Sequence, residues 1–339
     1  MIVGYEKTYI INDSAAASWI WMLIFNPGAA KSSVSSVPEP QTAQEFEEAE
    51  QEELVFTADG MVLEGASNPG VKVDDEGVVT LLFEDRGIGV NGHDLAKATA
   101  SSDWLSFTIT DDNADIALFH TTKLPDGTYR SYQTDTMISA DTTKGTNRDE
   151  HANGIISESS TDDVNFTPDN GYRYLLEDED NGTIGVWNFF IDDLGGVILL
   201  YIGDKFGENN VRRAYSTDNG WTFAFDRGNV LGDENDGQLG IYVDQNILSL
   251  GNGVWKLITM RQGSIYLFES IDDGYSFRLE GKVLGPEDFP DYNLGTLNDP
   301  KLAQLPDGRL RICVTGMENT GDMNDPNASQ NIFSATTQK

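Results

Sequence analysis

The chain has 339 residues, with 22 Lys and Arg against 56 Asp and Glu, for a formal net charge of −34. A surface this negative repels phosphate backbones and anionic headgroups, which argues against nucleic acid or a membrane surface as partner. Aromatic residues make up 10% and Gly occupies 34 positions, so a core can be buried, and short strands with frequent turns are favoured over a helical bundle. The single cysteine, Cys313, excludes an intramolecular disulfide and a multi-cysteine metal site. Its setting in the apolar run Leu310–Val314 predicts a buried small hydrophobe.

Taken in chain order, the first feature is the apolar stretch Ala15–Phe25 (AAASWIWMLIF), whose eleven residues are too few to span a bilayer. It suits the apolar part of an export signal, with the small residues Gly28 and Ala30 placing cleavage after Ala30. Residues 1–30 are therefore read as a candidate export segment, and the protein is expected to be secreted, extracellular or periplasmic. A misassigned start or a short buried segment is the rival reading, since Lys7 is the one cation ahead of the stretch. Residues 31–53 form an acidic Ser/Pro/Glu linker without apolar periodicity. The folded domain is assigned to residues 54–339.

Within that domain two motifs recur in step. Ser216-Thr-Asp218-Asn-Gly220-Trp-Thr-Phe223 and Ser270-Ile-Asp272-Asp-Gly274-Tyr-Ser-Phe277 share S-x-D-x-G-x-[TS]-F, and shorter copies begin at Ser101 and Ser160. The aspartates at 103, 162, 218 and 272 are 59, 56 and 54 residues apart. A carboxylate that accepts backbone N–H groups across a turn, followed by Gly at positive φ, makes a hairpin staple, not a catalytic group. Alternating with these are hairpins at Asp74–Gly77, Leu124–Gly127, Leu194–Gly196, Leu250–Gly253 and Leu305–Gly308, each flanked by apolar strands. Each unit thus holds strand A, a tight turn, strand B, a loop, strand C, the Asp turn and strand D, which describes a propeller blade. The opening segment Phe56–Gly65 (FTADGMVLEG) echoes the strand D segments Phe223–Gly232 and Phe277–Gly285. It is therefore expected to complete the last blade, whose strand C lies at Ile332–Thr336. The fold class predicted is all-β, a propeller of five four-stranded antiparallel blades. Because no Asp turn follows Thr336, a six-bladed propeller cut short is the alternative.

The S-x-D-x-G-x-[TS]-F repeats resemble the Asp boxes (BNR repeats) of the sialidase-like superfamily, and Asn298-Asp-Pro300 ahead of LPDGRLRI resembles strand openings of five-bladed glycosidases of the arabinanase and β-fructosidase type. The likeness runs from about residue 54 to the end. It implies a carbohydrate-active propeller with its active site on the face opposite the Asp boxes; it is specific for fold, and fold alone does not fix function.

Blade connectivity places the A–B and C–D turns on one face and the B–C and D–A loops on the other, where function is expected. Nine residues before the hairpin glycine stand Asp244 and Asp299 in two blades, and Asn68, Leu118 and Trp187 in the others. Inner strands converge on the pore, so Asp244 and Asp299 are candidate catalytic residues, with Glu84 and Asp204 at strand B ends as further catalytic carboxylates. Converging carboxylates are what glycoside hydrolysis needs, one to protonate the leaving oxygen and one to attack or to activate water. Arg261, Arg86, Asp85, Glu318 and Trp187 are candidate substrate-binding residues; an Asp at a strand start equally serves as a loop cap, and Trp187 in VWNFFI equally fits core packing. No sialidase-type Phe/Tyr-Arg-Ile-Pro motif is present. The acidic D–A loops at 110–115, 177–180, 233–236 and 286–291 would oppose an anionic ligand, favouring a neutral sugar. No cofactor or resident metal is expected; Ca²⁺ in the loop Asp233-x-Asn235-x-Gly237 is the alternative, and His93, His120 and His151 have no metal-site spacing. The function expected is an extracellular glycoside hydrolase, a monomer with a carbohydrate substrate. The alternatives are a non-catalytic glycan-binding or adhesion propeller, and an exo-sialidase with a diverged arginine set drawn from Arg86, Arg212, Arg213 and Arg261.

Overall fold

The computed structural model describes residues 54–74, 76–85, 94–112, 114, 121–135, 153–180, 184–203, 211–232, 242–321 and 328–338. They form an all-β propeller of five antiparallel blades. Blade one comprises β2 (Ala66–Val73), β3 (Val79–Asp85), β4 (Asp94–Ala100) and β5 (Phe107–Asp111). Blade two comprises β6 (Thr121–Lys123), β7 (Tyr129–Thr134) and β8 (Gly154–Ser160), its outer place shared by the short strands β9 (Thr167–Pro168) and β10 (Tyr174–Leu175). Blade three has β11 (Ile184–Ile191), β12 (Val197–Gly203), β13 (Val211–Ser216) and β14 (Ala224–Arg227). Blade four has β15 (Val243–Gly251), β16 (Val254–Arg261), β17 (Ser264–Ser270) and β18 (Arg278–Leu284). Blade five is β19 (Leu294–Gln304), β20 (Leu310–Glu318), β21 (Gln330–Thr337) and, as its outer strand, β1 (Phe56–Leu63).

Closure follows the echo in the sequence. β1 pairs antiparallel with β21 from Phe56–Thr337 to Leu63–Ile332, so the last blade takes its fourth strand from the start of the domain and β21 has no open edge. The six-bladed alternative does not hold, because five sheets close the ring. Among the described residues no helix is long and apolar enough to cross a membrane.

Period-two alternation explains how the blades stack. In β12 all seven residues of VILLYIG are buried. Val197, Leu199 and Tyr201 join a cluster with Tyr132 and Ile155 of blade two, while Ile198, Leu200 and Ile202 join one with Trp255, Leu257 and Phe268 of blade four. A middle strand sandwiched between neighbouring blades therefore needs apolar residues at every position. Two further clusters join blades four and five, around Phe289, Ile312 and Phe333, and blades five and one, around Phe83, Cys313 and Ile332. Cys313 is wholly buried there, and burial pushes its thiol up to about 12.

The recurring S-x-D turns share one hydrogen-bond pattern. The Ser216 and Ser270 hydroxyls each donate to the carboxylate two residues on, at 2.7 Å, and those carboxylates accept the backbone N–H of Thr222 and Ser276 at 2.9 Å. Ser160 and Asp162 repeat the contact at 2.9 Å, and Ser101 and Asp103 make it as well. Gly220 and Gly274 take positive φ. Gly220 presses so closely on blade two that an added Cβ would lie 2.0 Å from the Tyr132 hydroxyl.

Candidate active site at the pore rim

Four inner strands carry the same irregularity. Between Ser67 and Gly70, Gly185 and Asn188, Val243 and Asn246, and Asn298 and Lys301, two residues stand opposite one on strand B, which is a β-bulge. The first bulged residue is left-handed each time: Asn68 at φ 50°, Val186 at 46°, Asp244 at 58° and Asp299 at 51°. Asn and Asp tolerate this region because their short polar side chains bond locally, whereas a β-branched Val is strained there. The position equivalent to Asp244 and Asp299 in blade three is thus Val186, and Trp187 is its neighbour. The hairpin glycine with positive φ in that blade is Gly195, so counting from Gly196 shifts the register by one. Leu118, the blade-two equivalent, lies outside the described residues.

The bulges are wired to one another around the rim. The backbone N–H of Asn68 donates to the Thr315 hydroxyl (2.8 Å), which donates to Asp299 Oδ2 (2.9 Å). The backbone N–H of Asp299 in turn acts on the Asp244 carboxyl, favouring its charged form. Next round, Gln245 Nε2 donates to the Val186 carbonyl, and Asn188 Nδ2 donates to the Gln245 carbonyl at 2.8 Å. Blades one, five, four and three are so linked, with Asp244 and Asp299 adjacent in the chain of contacts.

Lys301, two residues beyond Asp299, lines the central cavity of about 130 Å³ enclosed by the five inner strands. Burial pushes the Asp244 carboxyl up to about 7, the charge of Asp299 adds to that rise, and Lys301 and the Asp299 N–H pull against it. Burial lowers the Lys301 ammonium, while Asp244 and Asp299 raise it. Two carboxyls and one ammonium therefore share a site in which burial and the neighbouring carboxylate hold the proton of Asp244 to higher pH than a free carboxyl would, with Lys301 opposing.

The other candidates are placed differently. Glu84 reaches the rim, where Asn68 Nδ2 donates to its Oε1 at 3.3 Å. Its neighbour Asp85 is buried at the end of β3, opposite Ala66 and Asp94. Glu318 is exposed and accepts the Ser329 hydroxyl at 2.7 Å, outside the Asp244–Asp299 contacts. Arg261 is buried and donates to the Tyr242 hydroxyl at 2.9 Å, its guanidinium 4.7 Å from that ring. Trp187 packs in the cluster between blades two and three. Asp204 and Arg86 lie outside the described residues, as does the acidic loop 233–236.

Two of the acidic D–A loops are used locally. Asp180 is fully buried and accepts both the Tyr174 and Tyr201 hydroxyls, at 2.7 and 2.6 Å. Asp288 accepts the N–H of Gly285, and Glu287 pairs with Lys282. Nor are all B–C loops on the rim face long: β16 and β17 join through Gln262-Gly263 alone, both at positive φ, as a two-residue hairpin with twisted strands requires. Sequence reasoning missed Lys301, since the signal is its place two residues past Asp299, one strand repeat inward. It also missed the bulges, which Asn-Pro and Asp-Pro at 68–69 and 299–300 mark in retrospect.

The fold and rim define a five-bladed propeller with an acid pair over its central pore. Its architecture resembles that of known glycosidases. The catalytic domain of a Coprinopsis cinerea GH62 alpha-L-arabinofuranosidase aligns with a TM-score of 0.55 at 12% identity, covering 84% of this chain and 98% of that one. An endo-1,4-beta-xylanase from Bacteroides thetaiotaomicron aligns with a TM-score of 0.54 at 13% identity, covering 84% and 97%. An endo-arabinase from the same bacterium aligns with a TM-score of 0.50 at 14% identity, covering 85% and 98%. At these identities the likeness is one of fold. No protein-family model matches the chain, and no curated protein matches it.

Proposed function

We propose that the protein is a glycoside hydrolase acting on neutral glycans, exported from the cell, with Asp244 and Asp299 as its central carboxylates. The observation that carries this reading is the pairing itself: two acids in the same left-handed bulge of adjacent blades, one of them pushed up to about 7. Asp244, protonated near neutral pH, is suited to protonate the glycosidic oxygen. Asp299, held by the Thr315 hydroxyl, is suited to activate water or to attack the anomeric carbon. Glu84, held by Asn68, supplies a third carboxylate at the rim. The five-bladed glycosidase folds to which this chain is similar support the reading by analogy.

The arginines support a neutral substrate over a sialoside. Arg212 Nη1 lies 3.7 Å from Asp180, Arg213 pairs with Asp226, and Arg261 turns to Tyr242. Each is engaged within its own blade or the preceding one, so these three do not form a shared carboxylate clamp. A non-catalytic glycan-binding role is the second reading. It is favoured by Lys301, whose ammonium offsets charge within the pair, and by Asn68 and Val186 at two of the four bulges. A screen of aryl glycosides and sialosides against the full-length protein, run beside Asp244→Asn and Asp299→Asn, separates the readings. Hydrolysis of a neutral glycoside that both variants abolish supports catalysis; hydrolysis that both retain rejects this assignment, and glycan binding without turnover selects the second reading.

A further inference from the structure

Four hydrophobic clusters join four of the five blade interfaces, and among the described residues none joins blades one and two. Alternation in β7 gives the reason. Tyr132 points into the cluster with blade three, so Ser131 and Gln133 point the other way, towards blade one. Between these blades lies instead a cavity of about 500 Å³ whose lining includes Lys72, Lys97, Lys123, Thr121, Tyr129 and Asp163. Its walls hold the ends of the β2–β3 hairpin and the S-x-D turn of blade two, so it belongs to the face opposite the Asp244–Asp299 rim.

Three ammonium groups converging in a chain with 22 cations against 56 acids is a reversal of the prevailing charge. Among the described residues neither Lys72 nor Lys97 makes a side-chain hydrogen bond or an ion pair within 4 Å. Burial lowers the Lys72 ammonium, with Asp163 opposing and Lys97 adding to the effect. Among the described residues, two acids line the same wall, Asp74 and Asp163. Asp74 Oδ1 is engaged by the N–H groups of Glu76 and Val78 at 2.9 and 2.8 Å. Asp163 stands near Lys72 and Lys97, and its Oδ1 is buried without a hydrogen-bond donor. The Ser131 hydroxyl, wholly buried opposite Thr121, also has no partner. Two lysines, Lys72 and Lys97, without an ion pair within 4 Å and a carboxylate oxygen lacking a donor describe a site shaped for a ligand that supplies both.

We propose that the cleft between blades one and two binds a small hydroxylated ligand bearing one oxyanion group, such as an acidic sugar. The oxyanion sits among Lys72, Lys97 and Lys123, and a ligand hydroxyl donates to Asp163 Oδ1. The cleft shares Lys72, Leu82 and Thr121 with the lining of the central cavity, but the proposed contacts use none of Asp244, Asp299, Glu84 and Lys301.

The test is calorimetric titration of the full-length protein at fixed ionic strength with glucuronate, glucose 6-phosphate, inorganic phosphate and glucose. Saturable binding of glucuronate or glucose 6-phosphate is expected, with glucose silent and inorganic phosphate weaker than the sugar acids; the preferred arm identifies carboxylate or phosphate as the head group. In Lys72→Gln/Lys97→Gln the affinity falls about tenfold or more, and in Lys282→Gln, on blade four, it is unchanged. Lysine acylation of the wild-type protein mapped by mass spectrometry gives a readout that needs no variant: the bound ligand should slow modification of Lys72 and Lys97 and leave Lys282 untouched. Absence of saturable binding by every probe, phosphate binding as tightly as glucose 6-phosphate, or labelling of Lys72 and Lys97 unaffected by ligand would each overturn the proposal.

Discussion

Asp244 and Asp299 occupy a backbone position that by itself explains an Asp or an Asn, because both residues visit the left-handed region at low cost. Asn68 holds the same position in blade one at φ 50°. Replacing either aspartate with Asn therefore leaves the bulge intact and removes only the ionisable group. For Asp244 the consequence for stability has a definite sign. Its folded carboxyl is raised from 3.8 to about 7, so across that window the unfolded chain releases a proton that the folded protein keeps. Its contribution to stability falls as pH rises through the window and is level above it. Asp244→Asn should gain on the order of 1–3 kcal/mol relative to wild type at about pH 8 and little at about pH 4, as urea melts at the two values would show. An equal effect at both pH values would mean that Asp244 is not held protonated by its surroundings.

At the scale of elements, the blade hairpins and S-x-D turns are legible because they depend on local chemistry. Asp accepts the N–H groups of its own turn, Gly supplies positive φ, and the aromatic at the end packs beneath. The closing strand is legible for a similar reason, since FTADGMVLEG repeats a strand D pattern with no blade of its own. The bulges are not, because they insert residues into strand A without altering its apolar alternation further along. That is why Lys301 escapes notice, whereas Trp187 stands one place out of register because the positive-φ glycine of its hairpin is Gly195, not Gly196. The S-x-D turns also have a tertiary role that the motif alone does not show. Gly220 abuts Tyr132 of the preceding blade, whose hydroxyl donates to the Gly220 carbonyl at 3.3 Å. Gly220→Ala places a side chain at φ +71° and against that ring, and should cost roughly 2–4 kcal/mol in denaturant unfolding. Gly281→Ala, at φ +152° with open space around it, should cost less than Gly220→Ala; equal losses would show that interblade contact contributes nothing.

At the scale of the whole molecule, the ring is held by interblade clusters and by a single strand exchanged between the ends of the domain. Deleting residues 54–63 leaves β21 with unpaired N–H and C=O groups along its length. Such a chain should lose its single cooperative thermal transition and aggregate; a monomer with unchanged melting would show that β1 does not close the ring. The net charge of −34 opposes polyanions over the surface as a whole, yet the lysine cleft shows that its sign is not uniform. Which acids meet at the pore is a matter of register around the ring, and sequence spacing found Asp244 and Asp299 because both stand nine residues before a hairpin glycine. The pH dependence of kcat/KM on an aryl glycoside reads the rim acid pair itself. The wild-type rate should fall above about pH 7 as Asp244 loses its proton, and Asp244→Asn should lose at least about a hundredfold in kcat/KM at that pH. A wild-type rate that does not decline above about pH 7, or an Asp244→Asn enzyme as active as wild type, would show that Asp244 is not the proton donor.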